Sequence, residues 1–404
     1  MIRVNKIVLD NYKNIQHSEV NLEAFNVIVG PNNSGKSNFL TVIPFLNYLI
    51  NGAADSMQDS LHMGVHTSDF GFITPLKQGH YNDTMRISIQ FSNSKINKCY
   101  EYNLVLAPLD GKHNKQHPSS FFIESEEFSY KDIGRRGPHS YIFRRKDNAV
   151  QFGERLKAKN KVENVANHSS VVTLLNIILE KDLSTDSYYN AIQTFNEILN
   201  SKIFYFSHTE LSKYKTNRIE IHNGRTISID LNEEISSLQK TNKWELFKSA
   251  IKEIIKIRSV ETIERNNPQE MDEEVIILFD HLGTTKSINQ LSDGSLLLLA
   301  FITKILTSKN DIFLLEEPEN STHPQALLGL VSFIRSFEDE KQFIITSHSV
   351  PLINVLSPEN VIVAGVNIEG VTSFKRVQDQ KEILKELRKG YVSFSDKIFF
   401  DDEY

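Results

Sequence analysis

Gly30-Pro31-Asn32-Asn33-Ser34-Gly35-Lys36-Ser37 fits the pattern G-x-x-x-x-G-K-[ST] in full, between the apolar run 25–29 and a second apolar stretch. A loop of this kind needs a strand before it and a helix after it, so the chain is committed to an α/β sheet. A bound phosphate requires backbone N–H groups curled around it, a helix N-terminus, a cation and a hydroxyl for Mg²⁺. Gly30 and Gly35 permit the curl, Lys36 supplies the cation, and Ser37 supplies the hydroxyl. Gly30, Asn32, Asn33, Ser34, Gly35, Lys36 and Ser37 are therefore the candidate nucleotide-binding set.

Almost three hundred residues later, Ile312-Phe313-Leu314-Leu315 reads as a buried strand ending in the paired acids Glu316-Glu317 and Pro318. In a parallel sheet the C-terminal end of such a strand faces the ligand crevice. Glu316 is expected to hold Mg²⁺ and Glu317 to orient or deprotonate an attacking water. A strand that is merely solvated at its end is the alternative, and the glycine-rich loop weighs against it. Ser292, Asp293, Gly294 and Ser295 open the apolar helix of residues 296–306, where Ser292, Asp293 and the first-turn N–H groups offer an anion site; a plain helix cap by Ser292 or Asp293 is the competing reading. His348 follows the strand of residues 342–345, where an imidazole can bond a γ-phosphate or polarise a water.

Composition sets outer limits. The 404 residues suit one large domain with an insertion, or two to three domains, and 40% apolar with 24% charged residues is ordinary for a protein with a full core. Cys99 is the single cysteine, which excludes an intrachain disulfide and fits a reducing compartment. No apolar run approaches the ~18–20 residues that span a bilayer, and the start lacks a signal peptide's core. A cytoplasmic protein without a membrane partner is expected. The net charge of −6 means that any DNA contact rests on a local patch.

Along the chain, residues 1–150 read as an N-terminal lobe with the phosphate loop, a long connection over 51–80 and an antiparallel β-sheet from about 82 to 146. Residues 151–265 read as a mostly helical insertion. Residues 266–404 return to an α/β rhythm, with strands at 275–279, 312–315, 342–346 and 361–364 expected in one parallel sheet. Arg135-Arg136 and Arg144-Arg145-Lys146 form a candidate basic rim, against which stands a charge-protected sheet edge. The pairs His62/His66 and His113/His117 lack a third ligand type, so zinc is not expected.

The order of glycine-rich loop, L-S-x-G-S segment, acidic strand and post-strand histidine resembles the ABC-type ATPase head. Within that group the chain is most similar to the soluble RecF-, SMC- and OLD-like branch. Asp10-Asn11-Tyr12-Lys13-Asn14 matches its N-F-[KR] turn, and Glu316-Glu317-Pro318-Glu319-Asn320 with Thr322-His323-Pro324 matches its E-E-P-E…H-P run. The resemblance implies an α/β P-loop fold like that of ABC-type ATPases, to which the patterns read above add an antiparallel β-lobe and a mostly helical insertion. It also implies ATP and Mg²⁺ as cofactors, and two copies paired head to tail. ATP would then lie between residues 30–37 of one copy and Ser292, Gly294 and Ser295 of the other. Asn11 and Lys13 are expected near the nucleotide, and Gln90 stands in for the glutamine that links the metal site to the β-lobe. The implied role is a switch acting on a protein effector such as a nuclease, or on DNA, in antiviral defence or DNA repair. Two other readings are an OLD-like nuclease component, for which only 56 residues follow His348, and a transporter's nucleotide-binding subunit.

Overall fold

The computed structural model describes residues 1–51, 84–108, 121–153, 164–166, 169–179, 187–201, 203–204, 219–222, 225–228, 231–266, 273–281, 283–377, 383, 385, 387 and 393–400. The connection 51–80 and both histidine pairs fall almost wholly outside these residues. The chain opens with β1 (Ile2–Tyr12), β2 (Ile15–Asn21), β3 (Phe25–Val29), α1 (Lys36–Leu40) and α2 (Val42–Asn51). A meander follows: β4 (Met85–Asn93), β5 (Lys98–Pro108), β6 (Phe121–Asp132), β7 (Ser140–Lys146) and β8 (Ala149–Phe152). Next come α3 (Val171–Leu179), α4 (Ser187–Leu199), β9 (Ile203–Phe204), β10 (Ile219–His222), β11 (Arg225–Ser228), α5 (Leu231–Gln239), α6 (Trp244–Ile254) and β12 (Ile257–Asn266). The last part holds β13 (Glu273–His281), β14 (Thr284–Ser287), α7 (Asp293–Thr307), β15 (Ile312–Glu316), α8 (Pro324–Arg335), β16 (Gln342–Ser347), α9 (Val350–Ile353), β17 (Val361–Val366), β18 (Thr372–Arg376) and α10 (Phe394–Phe400).

Among the described residues, thirteen strands form one sheet in the order β8-β7-β6-β5-β4-β1-β2-β18-β17-β3-β16-β15-β9. The run from β8 to β2 is antiparallel, whereas β17, β3, β16, β15 and β9 are mutually parallel. In the parallel part, alternate residues enter different cores. Ile28, Ile312, Leu314, Ile344 and Ile362 pack with α1, α2, α3 and α4. Val27, Val29, Phe313, Leu315, Phe343, Ile345 and Val363 pack on the other face with the helices from α5 onward. Burial on both faces is why these strands are short and mostly apolar. Helix α6 buries the predicted stripe of Phe247, Ala250, Ile251, Ile254 and Ile255. The phosphate-loop helix breaks at Thr41, three residues before Pro44, whose missing N–H cannot continue the ladder. Among the described residues no helix is long and apolar enough to cross a membrane.

Two expectations change. The strand at 275–279 is part of β13, which joins β12 and β14 in a separate antiparallel sheet rather than the parallel one. Gly283, at φ 80°, turns β13 straight back into β14. The basic rim is also divided: Arg144 is exposed and pairs with Glu127 at 3.1 Å, but Arg145 points inward with a fully buried side chain. Its guanidinium donates to the carbonyls of Asp147 (2.6 Å), Ala166 (2.8 Å) and Ser169. It also lies 3.8 Å from buried Glu126, which accepts from Tyr102 Oη, Ser170 Oγ and Val171 N–H. Burial raises the Glu126 carboxyl above its usual range, and these donors and Arg145 only partly offset it. The cluster ties the start of α3 to the β-lobe. Arg145→Ala, which strands the acid and three carbonyls, is expected to cost about 3–5 kcal/mol, seen as a lower midpoint of urea unfolding. Glu126→Gln, which keeps an acceptor oxygen and removes the buried charge, is expected to cost less.

Candidate functional site

Register alone brings the sequence motifs together. Across the parallel strands, Glu316 is opposite Thr346, Thr346 opposite Ile28, and Ser347 opposite Val29. The C-terminal ends of β3, β16 and β15 therefore finish in one row, and the residues that follow all emerge at the same edge. There they wall a cleft of about 690 Å³, lined by Asn14, Asn32, Asn33, Ser34, Gly35, Lys36, Ser37, Asn38, Glu317, Asn320 and His348.

The loop has the shape its sequence demands. Asn33 and Gly35 sit in the left-handed region at φ 64° and 81°, a conformation that asparagine tolerates and glycine prefers. Gly30 lies behind the cleft wall, where a Cβ would stand 2.4 Å from the Ala364 carbonyl oxygen, so only glycine fits. Lys36 is 4% exposed, and its Nζ donates to the carbonyls of Gly30 and Pro31, each at 2.9 Å. Burial pulls its ammonium below the usual lysine range, while Glu317, Glu319 and Glu316 oppose that pull. Ser34 Oγ is buried without a hydrogen-bond partner among the described residues. A loop with two left-handed residues, a buried lysine and an orphan hydroxyl fits a polyphosphate.

Glu317 leaves β15 at φ 44°, a left-handed backbone that costs a glutamate about 1–2 kcal/mol. Its N–H is anchored to the Thr346 carbonyl at 3.0 Å, and Asn320 Nδ2 donates to its Oε2 at 3.2 Å. This turn swings the side chain into the cleft, 3.6 Å from His348 Nδ1. Glu316 ends β15 half-buried and does not line the cleft, although its charge reaches Lys36. Ser37 at the wall and Glu316 behind it are few oxygens for a metal. That suits Mg²⁺, which takes one or two protein oxygens and fills its shell with phosphate and water.

Ser292, Gly294 and Ser295 are not brought to this cleft. Ser292 caps α7, its Oγ accepting from Ser295 N–H at 3.3 Å and donating to Ser295 Oγ at 2.9 Å. Gly294 packs so closely on the loop after β15 that a Cβ would meet the Ser321 carbonyl oxygen at 2.1 Å. Gln90 is paired with Lys6 and Glu101 inside the antiparallel part and does not reach the cleft. Asn11 donates to the Thr84 carbonyl, and neither it nor Lys13 lines the wall. Asn14 does so instead: it accepts from Asn38 Nδ2 and donates to Thr372 Oγ1, both at 2.7 Å. Asn14, Glu319 and Asn320 stand inside the family-like runs, and Asn38 directly follows the phosphate loop, but the sequence assigned none of the four a role.

Residues 2–353 match the model of the AAA ATPase domain family. The Old nuclease of Escherichia phage P2 is 23% identical over 417 residues, which cover 95% of this chain and 62% of that protein. The chain thus spans about three-fifths of that relative's length. Two solved structures share the fold. A structure of the SmcHead bound to the C-winged helix domain of ScpA has a TM-score of 0.51 and 14% identity, covering 94% of this chain and 99% of that one. An Smc head with an extended coiled coil, bound to the C-terminal domain of ScpA derived from Pyrococcus furiosus, has a TM-score of 0.50 and 13% identity, covering 96% and 100%.

Proposed function

The chain belongs to the AAA ATPase domain family, and on that premise we propose that it hydrolyses ATP with Mg²⁺ and that two copies pair around the nucleotide. The observation that carries the hydrolytic reading is the meeting of the phosphate loop, Glu317 and His348 in one cleft. In this reading the loop and Lys36 hold the phosphates; Ser37, with Glu316 acting from behind the wall, would hold Mg²⁺, which would supply positive charge against the transferring phosphoryl group. Glu317 takes the proton of the attacking water, and its fixed backbone keeps the carboxylate aimed. His348 beside it donates to phosphate oxygen or steers the water.

Pairing is supported by the exposure of Ser292 and by its place away from its own cleft, where it is free to face a second copy. The same arrangement would let nucleotide state control a protein effector or DNA. The likeness to the Old nuclease favours a nuclease link, and an antiviral or repair role follows from it by analogy. Phosphate release by the purified chain tests the core of the proposal. A steady turnover that EDTA abolishes and added Mg²⁺ restores is expected; no turnover under any of these conditions would overturn it. Adding duplex and single-stranded DNA to the same assay separates the two targets, since stimulation favours DNA and its absence favours a protein effector. A rise in mass by light scattering when ATP is added is the outcome expected for pairing.

A further inference from the structure

Resting on this hydrolytic reading, we infer that Glu319 is a positioning residue that sets where His348 stands against Glu317. The loops after β15 and β16 are joined at their root by Glu317 N–H on the Thr346 carbonyl, two residues short of the histidine. Beyond the root the tie is Glu319. Its Oε1 accepts from Ser347 Oγ and from the His348 backbone N–H, both at 2.7 Å, and lies 3.3 Å from His348 Nδ1. Ser347 Oγ in turn accepts from Ser349 N–H at 3.0 Å, and Ser349 caps α9. One carboxylate oxygen thus gathers the chain on both sides of His348, through hydrogen bonds strengthened by its charge.

Two facts separate this from ordinary loop packing. Glu319 does not line the cleft, so its hydrogen bonds reach the site through the histidine, and beyond them only its charge is felt, at Lys36. Its other oxygen, Oε2, is buried with no hydrogen-bond partner among the described residues. A buried carboxylate oxygen without a protein partner is an exception that calls for an explanation.

The test is a mutant cycle on kcat and KM for ATP. Glu319→Ala is expected to lower kcat on the order of tenfold while KM stays within about twofold, the pattern of a misplaced catalytic group. Combined with His348→Ala, it is expected to add nothing to the loss from His348→Ala alone, because both act through one imidazole. Glu319→Gln, whose amide oxygen takes the same two bonds, is expected to restore most of kcat. An unchanged kcat in Glu319→Ala, a rise in KM alone, or a fully additive double mutant would overturn the inference. Should Glu319→Ala fail to fold, Ser347→Ala is read in the same way. If the unaltered chain released no phosphate, the hydrolytic reading would fall and this inference with it. Turnover that survives Glu319→Ala unchanged sinks the inference alone.

Discussion

Glu317→Gln is expected to bind ATP as tightly as the unaltered chain and to hydrolyse it on the order of 10²–10⁴-fold more slowly, the usual contribution of a general base. The substitution is nearly isosteric. The amide oxygen can still accept from Asn320 Nδ2, and the backbone hydrogen bond to Thr346 is untouched, so the turn at φ 44° should survive. What disappears is the group able to take a proton in the cleft. Removing one negative charge near the phosphates leaves affinity unchanged or slightly improved. The measurements are phosphate release at saturating ATP and the affinity of a fluorescent ATP analogue. Wild-type turnover in the variant would show that Glu317 is not the base. Lost affinity together with lost turnover would show instead that the loop had collapsed.

Lys36→Ala acts earlier, on binding. Its ammonium sits inside the loop on the carbonyls of Gly30 and Pro31, so its removal frees two acceptors and deletes the loop's own cation. Hydrogen bonds to charged groups contribute about 1.5–3 kcal/mol, so affinity for ATP should fall on the order of 10²-fold. Lys36→Arg is not expected to rescue it. At 4% exposure the site has room for a linear ammonium, whereas a planar fork needs more width and a different set of partners. Isothermal titration with ATP and Mg²⁺ reads both variants, and near-normal affinity in Lys36→Ala would remove the loop from the binding site.

Much of this cleft was legible in the sequence because its main parts are local patterns. The glycine-rich loop, the apolar strand with two acids and the histidine after a strand each declare themselves within a few residues, and parallel pairing places them side by side. Residues whose roles depend on distant partners were not legible. Asn14 reaches the wall because Thr372 pairs beside its turn and Asn38 bonds it from the first helix, a meeting of three segments far apart in sequence. Glu319 closes the E-E-P-E run, but its role is not legible until Ser347 and His348 are found on its oxygen. Arg145 misled because β7 does not keep a strict period of two: Ile142 and Phe143 are both buried, opposite a register shift at Phe128 and Ser129. That shift turns Arg145 inward toward Glu126. Gln90 had only its identity to recommend it, and its strand keeps it at a distance.

The strand that carries the phosphate loop has a further consequence, for the order in which the chain can fold. Phe25 to Val29 lie between β16 and β17, with Phe343 opposite Phe25 and Val361 opposite Val27. During synthesis, both edges of this buried, mostly apolar strand stay unpaired until more than three hundred further residues have been made. Pairing across so long a span is slow, because a large loop must close before any contact rewards it. An open apolar edge meanwhile invites association with other chains. Competence to bind nucleotide therefore arrives at the end of folding. The emerging chain is most vulnerable to aggregation while β3 waits for its neighbours, and fragments that stop before β17 should be the ones that depend most on chaperones.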